Sequence, residues 1–217
     1  MRRALASAVL AIALGGGLVC GSVAPAEASV SIAVLFDPLV AASDVVAVVV
    51  PVETTSVWEE GRIYTYTRVK VESTVGGEVG GEAWIRTRGG VVGKVGQLVD
   101  GEAVFAKDKP SLVFLRKGAS GTFDVNARAQ GQFPVVLDDA TKTRRLQRAA
   151  NVGVLYPPKE ILALQASPRP AAAGTSQATA TTGASKTPVL AADMIHGRAV
   201  DEATRDIAAA WKRLHAR

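Results

Sequence analysis

From Val45 to Val52 the chain is almost all valine, and no polar residue breaks the run. β-Branched side chains are stiff at χ1 and favour strand over helix. A strand without polar alternation buries both faces, so this segment predicts a central strand or one covered by a helix. Arg62 to Val75 carries a different pattern. Ile63, Thr65, Thr67, Val69 and Val71 fall on one side, and Arg62, Tyr64, Tyr66, Arg68, Lys70 and Glu72 on the other. That period of two predicts a half-buried strand, long enough to need strong twist or a bulge. Glycines at 76, 77, 80 and 81 then punctuate a turn into another strand, Glu82 to Arg88.

Gly89 to Gly96 predicts a glycine-rich loop, followed by a short strand at Gln97 to Val99 and a turn at Asp100-Gly101. Further strands are expected at Ser111 to Leu115, Thr122 to Arg128 and Gln132 to Leu137, with turns at Lys117 to Gly121 and Asp138 to Lys142. Thr143 to Ala149 fits a last hairpin arm or a short helix. Helices are confined to the flanks. Asp37 as N-cap and Pro38 at the first helical position predict a brief helix, Pro38 to Ser43. A weak helix is expected at Lys159 to Gln165, and an amphipathic one from Asp201 to Leu214. Val200, Ala203, Ile207, Trp211 and Leu214 give the latter a single apolar stripe. Such a helix is marginal alone in water and should dock, the valine strand offering the economical surface. Short strands with glycine turns and terminal helices predict a mainly β fold, a small closed or half-closed β-barrel, with a β-sandwich as the alternative.

The N-terminal pattern reads as an export signal. Arg2 and Arg3 precede an apolar run, Ala4 to Val19, and Ala26-Glu27-Ala28 supplies small residues at the cleavage positions. The expected organisation is a signal peptide at 1–28, a barrel domain at 29–166, a disordered Pro/Ala/Thr linker at 167–188 and a helical segment at 189–217. The linker has too few bulky apolar residues to offset its ordering entropy. The expected location is secreted or periplasmic, with no membrane span once the leader is removed. Cys20 opens a lipoprotein alternative, but Leu18-Val19 lack the small residue that such signals favour before the cysteine.

Composition narrows the chemistry. Cys20 is the only cysteine in 217 residues and leaves with the leader, so the mature chain would carry no disulfide, thiolate nucleophile or cysteine metal site. The formal charge is +5, and removing Arg2, Arg3 and Glu27 lowers it by one. That balance is a weak bias toward anionic partners.

Ser43-Asp44-Val45-Val46, Ile63-Tyr64-Thr65 opening Val69-Lys70-Val71, Gly89-Gly90-Val91-Val92-Gly93 and Gln130-Gly131-Gln132-Phe133 resemble a set of uncharacterised exported bacterial proteins. Their core is similar to the OB-type barrel of netrin-like and tissue-inhibitor-of-metalloproteinase modules. The resemblance covers about Asp37 to Leu137 and implies an OB/netrin-like barrel. The metalloproteinase inhibitors act through an N-terminal cysteine, whereas the new terminus here would be Ser29. No functional residue is carried over.

Catalytic and cofactor motifs fail on spacing. Gly89 to Lys94 is no phosphate loop, because Val95 stands where Ser or Thr is required. His196 and His215 have no partner at metal-ligand spacing. Gly118-Ala119-Ser120-Gly121 lacks the serine-elbow spacing, and Glu59-Glu60 and Asp138-Asp139 are adjacent pairs in expected turns. No cofactor or metal is therefore expected. One surface stands out: Trp84, Arg86 and Arg88 alternate on one strand and fall beside Tyr66, Arg68 and Lys70 if apolar faces coincide. Trp58, in the expected turn Ser56 to Arg62, is a second exposed aromatic. In an envelope compartment such a surface suits an envelope glycan or an exported protein rather than nucleic acid. The expected function is non-enzymatic binding or a structural role in the cell envelope. Alternatives are a protease-modulating barrel and a hydrolase with a site assembled from distant residues.

Overall fold

The computed structural model describes residues 31–166 and 188–216. The expected signal peptide, Cys20, Ser29 and residues 167–187 of the expected linker lie outside the described residues. In chain order the elements are β1 (Ser31–Ile32), α1 (Phe36–Ala41), β2 (Val45–Glu59), β3 (Arg62–Gly77), β4 (Glu82–Arg88), β5 (Gly90–Val92), β6 (Val95–Gln97), β7 (Ser111–Lys117), β8 (Phe123–Val125), β9 (Gln132–Leu137), β10 (Arg144–Leu146), β11 (Leu155–Tyr156), α2 (Lys159–Ala166), α3 (Ala191–Ile195) and α4 (Val200–His215).

Five strands close a ring in the order β2-β3-β4-β8-β7, with β7 returning to β2. The β4–β8 pair is parallel and the other pairs are antiparallel. The fold is thus mainly β, built on a closed five-stranded barrel. Closure excludes the sandwich alternative and removes the edges of the paired segments. β9 and β10 extend the sheet outward from β7.

The valine run explains itself in this arrangement. Val45, Ala47 and Val49 point into the barrel with Val69, Ile85, Val113 and Leu115. Val46 and Val48 point outward, where α1, α3 and α4 cover them with Phe36, Leu39, Ile195, Ala203 and Ile207. β7 does the same, Val113 and Leu115 inward and Leu112 and Phe114 outward. The terminal helix joins the cluster on the outward side of the valine strand but packs chiefly on α1 and β3, where Trp211 lies against Gly76 so that any Cβ there would strike the indole ring.

Three register shifts bend β2 around the barrel, the last between Pro51 and Glu53. There Val52 is the extra residue, and it exchanges the two faces of the strand. Beyond it Thr54, Ser56 and Trp58 lie opposite Thr67, Thr65 and Ile63, on the inward face. The β2–β3 hairpin closes through Glu60 and Gly61, both at positive φ (49° and 78°), as a two-residue turn of this hand requires.

Several local expectations need correction. Asp37 does not cap α1, which starts at Phe36 with Leu35 before it and no side-chain cap. The Phe36 N–H instead donates to the Val189 carbonyl at 2.9 Å, and Asp37 accepts from Arg213 at 2.9 Å. The buried Phe36, Leu39 and Val40 fix the helix start, and main chain from the C-terminal segment serves its first turn. Gly89 to Gly96 is no irregular loop, because Gly90 to Gln97 forms the β5–β6 hairpin and the strand set at Gln97 to Val99 starts two residues earlier. The strand expected at Thr122 to Arg128 is only Phe123–Val125, since Ala127 and Arg128 turn the chain at φ 57°. Thr143 to Ala149 is represented by the hairpin strand β10 rather than a helix.

The Asp138 turn makes one prediction. Its carboxylate accepts from the Ala140 and Thr141 N–H groups at 3.0 and 3.2 Å and from Arg145 at 3.0 Å. The Thr141 bonds, then Arg145, hold its pKa below the ordinary aspartate value. A depressed folded pKa stabilises above the ordinary carboxylate range and the benefit is lost as pH falls through it. Asp138→Asn should melt below the parent at pH 6, and the gap should narrow steadily as pH falls below the ordinary carboxylate range in a paired thermal scan.

Candidate functional site

The inward face of the β2–β3–β4 sheet changes character along its length. Near the barrel centre it carries Val69, Ala83 and Ile85; toward one end it carries Thr54, Thr65, Thr67 and Thr87. Apolar packing stops there and the barrel opens. The threonines floor a cleft of about 490 Å³, within the usual size of ligand sites. Its walls are the β5–β6 hairpin, the Leu98–Val99 segment, and Val104 with Phe105. Leu98 is 90%, Val91 65% and Val104 64% exposed, so the rim is apolar and open to solvent.

Hydrogen bonds fix the floor. The Thr65 hydroxyl donates to the Gly89 carbonyl at 2.7 Å and lies 2.8 Å from the Ser56 hydroxyl. Gln97 Oε1 accepts from the Ile63 N–H at 2.7 Å, tying β6 to β3. Gln132, which is buried, bonds Val104 in both directions, its Oε1 accepting at 3.0 Å and its Nε2 donating at 2.7 Å. These bonds hold both walls at fixed separation.

Glu102 is buried at the inner edge of this cleft and accepts from Arg128 Nε at 3.3 Å. It also lines a second, smaller cleft of about 200 Å³ with Tyr64, Arg86, Arg88, Asp124 and Arg128. Thr87, Arg88 and Glu102 are common to both clefts. The Arg88 side chain is exposed, with no hydrogen-bond or ion-pair partner among the described residues.

The outer-face residues do come together. Tyr66 pairs with Arg86 and Arg68 with Trp84 across β3 and β4, while Lys70 faces Glu82 and Arg88 faces Tyr64. Their charges are largely matched. Arg68 sits between Glu53 and Glu82 at 3.0 and 3.1 Å. Arg86 reaches Asp124 at 3.3 Å and lies 4.9 Å over the Tyr64 ring. The Tyr66 hydroxyl donates to Glu59 at 2.6 Å, a bond that raises the phenol pKa above its ordinary value. An anionic polymer would have to compete with these carboxylates for the same guanidinium groups. Trp58, 51% exposed, stands apart on the inward face near the hairpin tip, within β2 rather than in the expected turn, which is confined to Glu60 and Gly61.

His196 accepts from the Arg148 N–H at 3.1 Å, and His215 stacks on Trp211 with centroids 3.9 Å apart. Among the described residues no group of three acidic, histidine or cysteine side chains could hold a metal ion, and no helix is long and apolar enough to cross a membrane.

Sequence reasoning missed the cleft. Thr65, Thr67 and Thr87 occupy positions whose parity pointed inward, and hydroxyls there were the available signal that the barrel opens at that end. The walls were not legible, since Glu102, Val104 and Phe105 belong to an irregular segment brought back from across the barrel. Compared with known proteins, the chain matches no family model, no curated protein and no solved structure, so the cleft has to be read from its own geometry.

Proposed function

We propose that this is an exported, non-enzymatic binding protein of the cell envelope, which seats part of a partner protein in the mouth of its barrel. The observation that carries this reading is the solvent-exposed apolar rim of Val91, Leu98 and Val104 around a hydroxyl floor. Exposed apolar side chains gathered at one place mark interaction surfaces, where single ones do not. The floor supports binding as well. Thr65 and Thr87 donate their hydroxyl protons to main-chain carbonyls, at 2.7 and 3.4 Å, so the floor is ordered before any ligand arrives. The outer aromatic face is the weaker surface for a charged ligand because its arginines are already matched by carboxylates. Export is supported by the leader pattern of the first 28 residues.

The immobilised mature protein should retain a component of its own cells' envelope extract, and the Leu98→Asp/Val104→Asp double variant should retain about tenfold less at unchanged circular dichroism. Equal retention by both proteins removes the mouth from the reading. Turnover of chromogenic ester, glycoside or phosphate substrates by the purified protein overturns its non-enzymatic part. Secreted material whose mass begins at Ser29 is the expected sign of export.

A further inference from the structure

Past Val49, the side of β2 that faces away from β3 has no neighbouring strand among the described residues. β7 pairs with β2 only from Val45 to Val49, and the loop that precedes β7 reaches it once more, Asp108 N–H donating to the Pro51 carbonyl at 2.9 Å. The direction of the backbone groups beyond that point follows from Ile63. Its N–H donates to Gln97 Oε1 and its carbonyl accepts from the Gly89 N–H, both at 2.7 Å, so both groups turn away from β2. In an antiparallel pair, the residue opposite turns its own groups away as well. Trp58 is opposite Ile63, and the register runs unbroken from Glu53–Arg68 to Glu59–Arg62. Thr54, Ser56 and Trp58 therefore direct three N–H and three C=O groups to the open edge. Among the described residues none of these groups has a backbone or side-chain partner beyond β2.

Natural edges are usually blunted by lysine, proline or a bulge. Pro51 and the Val52 bulge stand just before this stretch, and Thr54 to Trp58 itself carries none of the three. We propose that this edge is a strand-addition site for an extended basic segment of a partner protein. The inference rests on the mouth reading above, because Thr54 also lines the mouth and an added strand would run along its border.

The edge selects its occupant by charge. Glu53 and Glu59 lie on the outward face of β2; one guanidinium, that of Arg68 on β3, is shared by Glu53 and Glu82, and the Glu59 carboxylate accepts from the neutral Tyr66 hydroxyl. A strand laid against β2 meets the carboxylates first. On the inward face it meets Trp58, an exposed aromatic anchor, and then the apolar rim at Val104. The matching segment alternates basic residues outward with apolar residues inward. A second copy of this chain fits poorly: antiparallel self-pairing centred on Ser56 sets Glu53 opposite Glu59 twice, and like charges directly opposite destabilise a pair.

The test uses the whole mature protein and a labelled, capped hexapeptide alternating lysine and valine. In amide exchange followed by NMR, Thr54, Ser56 and Trp58 should exchange freely in the protein alone and become protected when the peptide is added. In fluorescence anisotropy, a peptide with glutamate in place of lysine should bind at least about tenfold more weakly. Ser56→Pro removes the central outward donor and should weaken lysine-peptide binding about tenfold, whereas Ser56→Ala, which removes only the hydroxyl that meets Thr65, should bind the peptide as the parent does. Thr55→Pro removes a ladder donor instead and should lower Tm. Unchanged exchange at the three amides, or equal affinity for the two peptides, overturns the edge site. Binding lost in Leu98→Asp but kept in Ser56→Pro places the peptide in the mouth, which overturns the edge site and leaves the mouth reading standing. Protection at the edge with no envelope component retained does the reverse.

Discussion

Replacing Ile207 with alanine is expected to lower the unfolding free energy by about 2–5 kcal/mol, the usual range for truncating a buried aliphatic side chain to alanine. Ile207 is 1% exposed at the centre of the cluster that joins α4 to the outward face of β2. Truncation leaves a cavity in the cluster that Ile207 shares with Val46, Val48 and Leu112, and close-packed neighbours relax into such a space only partly. A urea titration reads the loss, and each kcal/mol should also cost about 2–4 °C in Tm. Arg205→Ala, on the exposed side of the same helix, should stay within about 0.5 kcal/mol. The amides of Val46 and Val48 should exchange faster in Ile207→Ala than in Arg205→Ala. A chain ending at Ala166 should lose their protection further, since every α4 contact on that face is gone. Equal protection in all of these proteins would mean that the helix does not cover the strand.

The second large effect lies at the mouth. Gly90→Ala should destabilise by about 1–3 kcal/mol, because φ of 132° belongs to a region that only glycine occupies without strain. Space is refused too: a Cβ there would strike the Thr65 and Ser56 hydroxyls, which are hydrogen-bonded to each other. The substituted β5–β6 hairpin must lift away from β2 and β3, breaking the Thr65–Gly89 bond and widening the cleft. Gly96→Ala in the partner strand is the control. Its nearest side-chain neighbour would be Val91 at 3.7 Å, an ordinary contact, so its Tm should hardly move. Thermal melts of both variants, with amide exchange of Ile63 and Gly89, distinguish a lifted hairpin from general loosening.

These two sites differ in how far the sequence anticipated them. The apolar stripe of α4 was legible because helical spacing is a local property, and the helix runs from Val200 to His215, within one residue of the expected span. That it joins the cluster on the outward side of the valine run followed from a second local fact, that the run had no polar face to offer water, whereas its main neighbours, α1 and β3, did not. Gly90 was legible only as turn composition. A strand that needs a glycine to approach two hydroxyls cannot be told from a loop, since the reason for the glycine sits on Ser56 and Thr65. The outer-face residues show the same limit in electrostatic form. Parity put Tyr66, Arg68, Trp84 and Arg86 together, whereas the matching of Arg68 by Glu53 and Glu82 depended on the register.

The sequence by itself determined the strand order's raw material: which segments are extended, which faces are apolar, and which helix must find a partner. Those properties are set by side chains a few residues apart, within reach of one strand or one helical turn. Tertiary structure alone decided that the ring closes through a parallel β4–β8 pair, that the Val52 bulge exchanges the faces of β2, and that the barrel opens onto threonines. Each depends on backbone groups and side chains far apart in the chain, whose meeting is fixed only when the whole sheet satisfies its hydrogen bonds and buries its apolar face together.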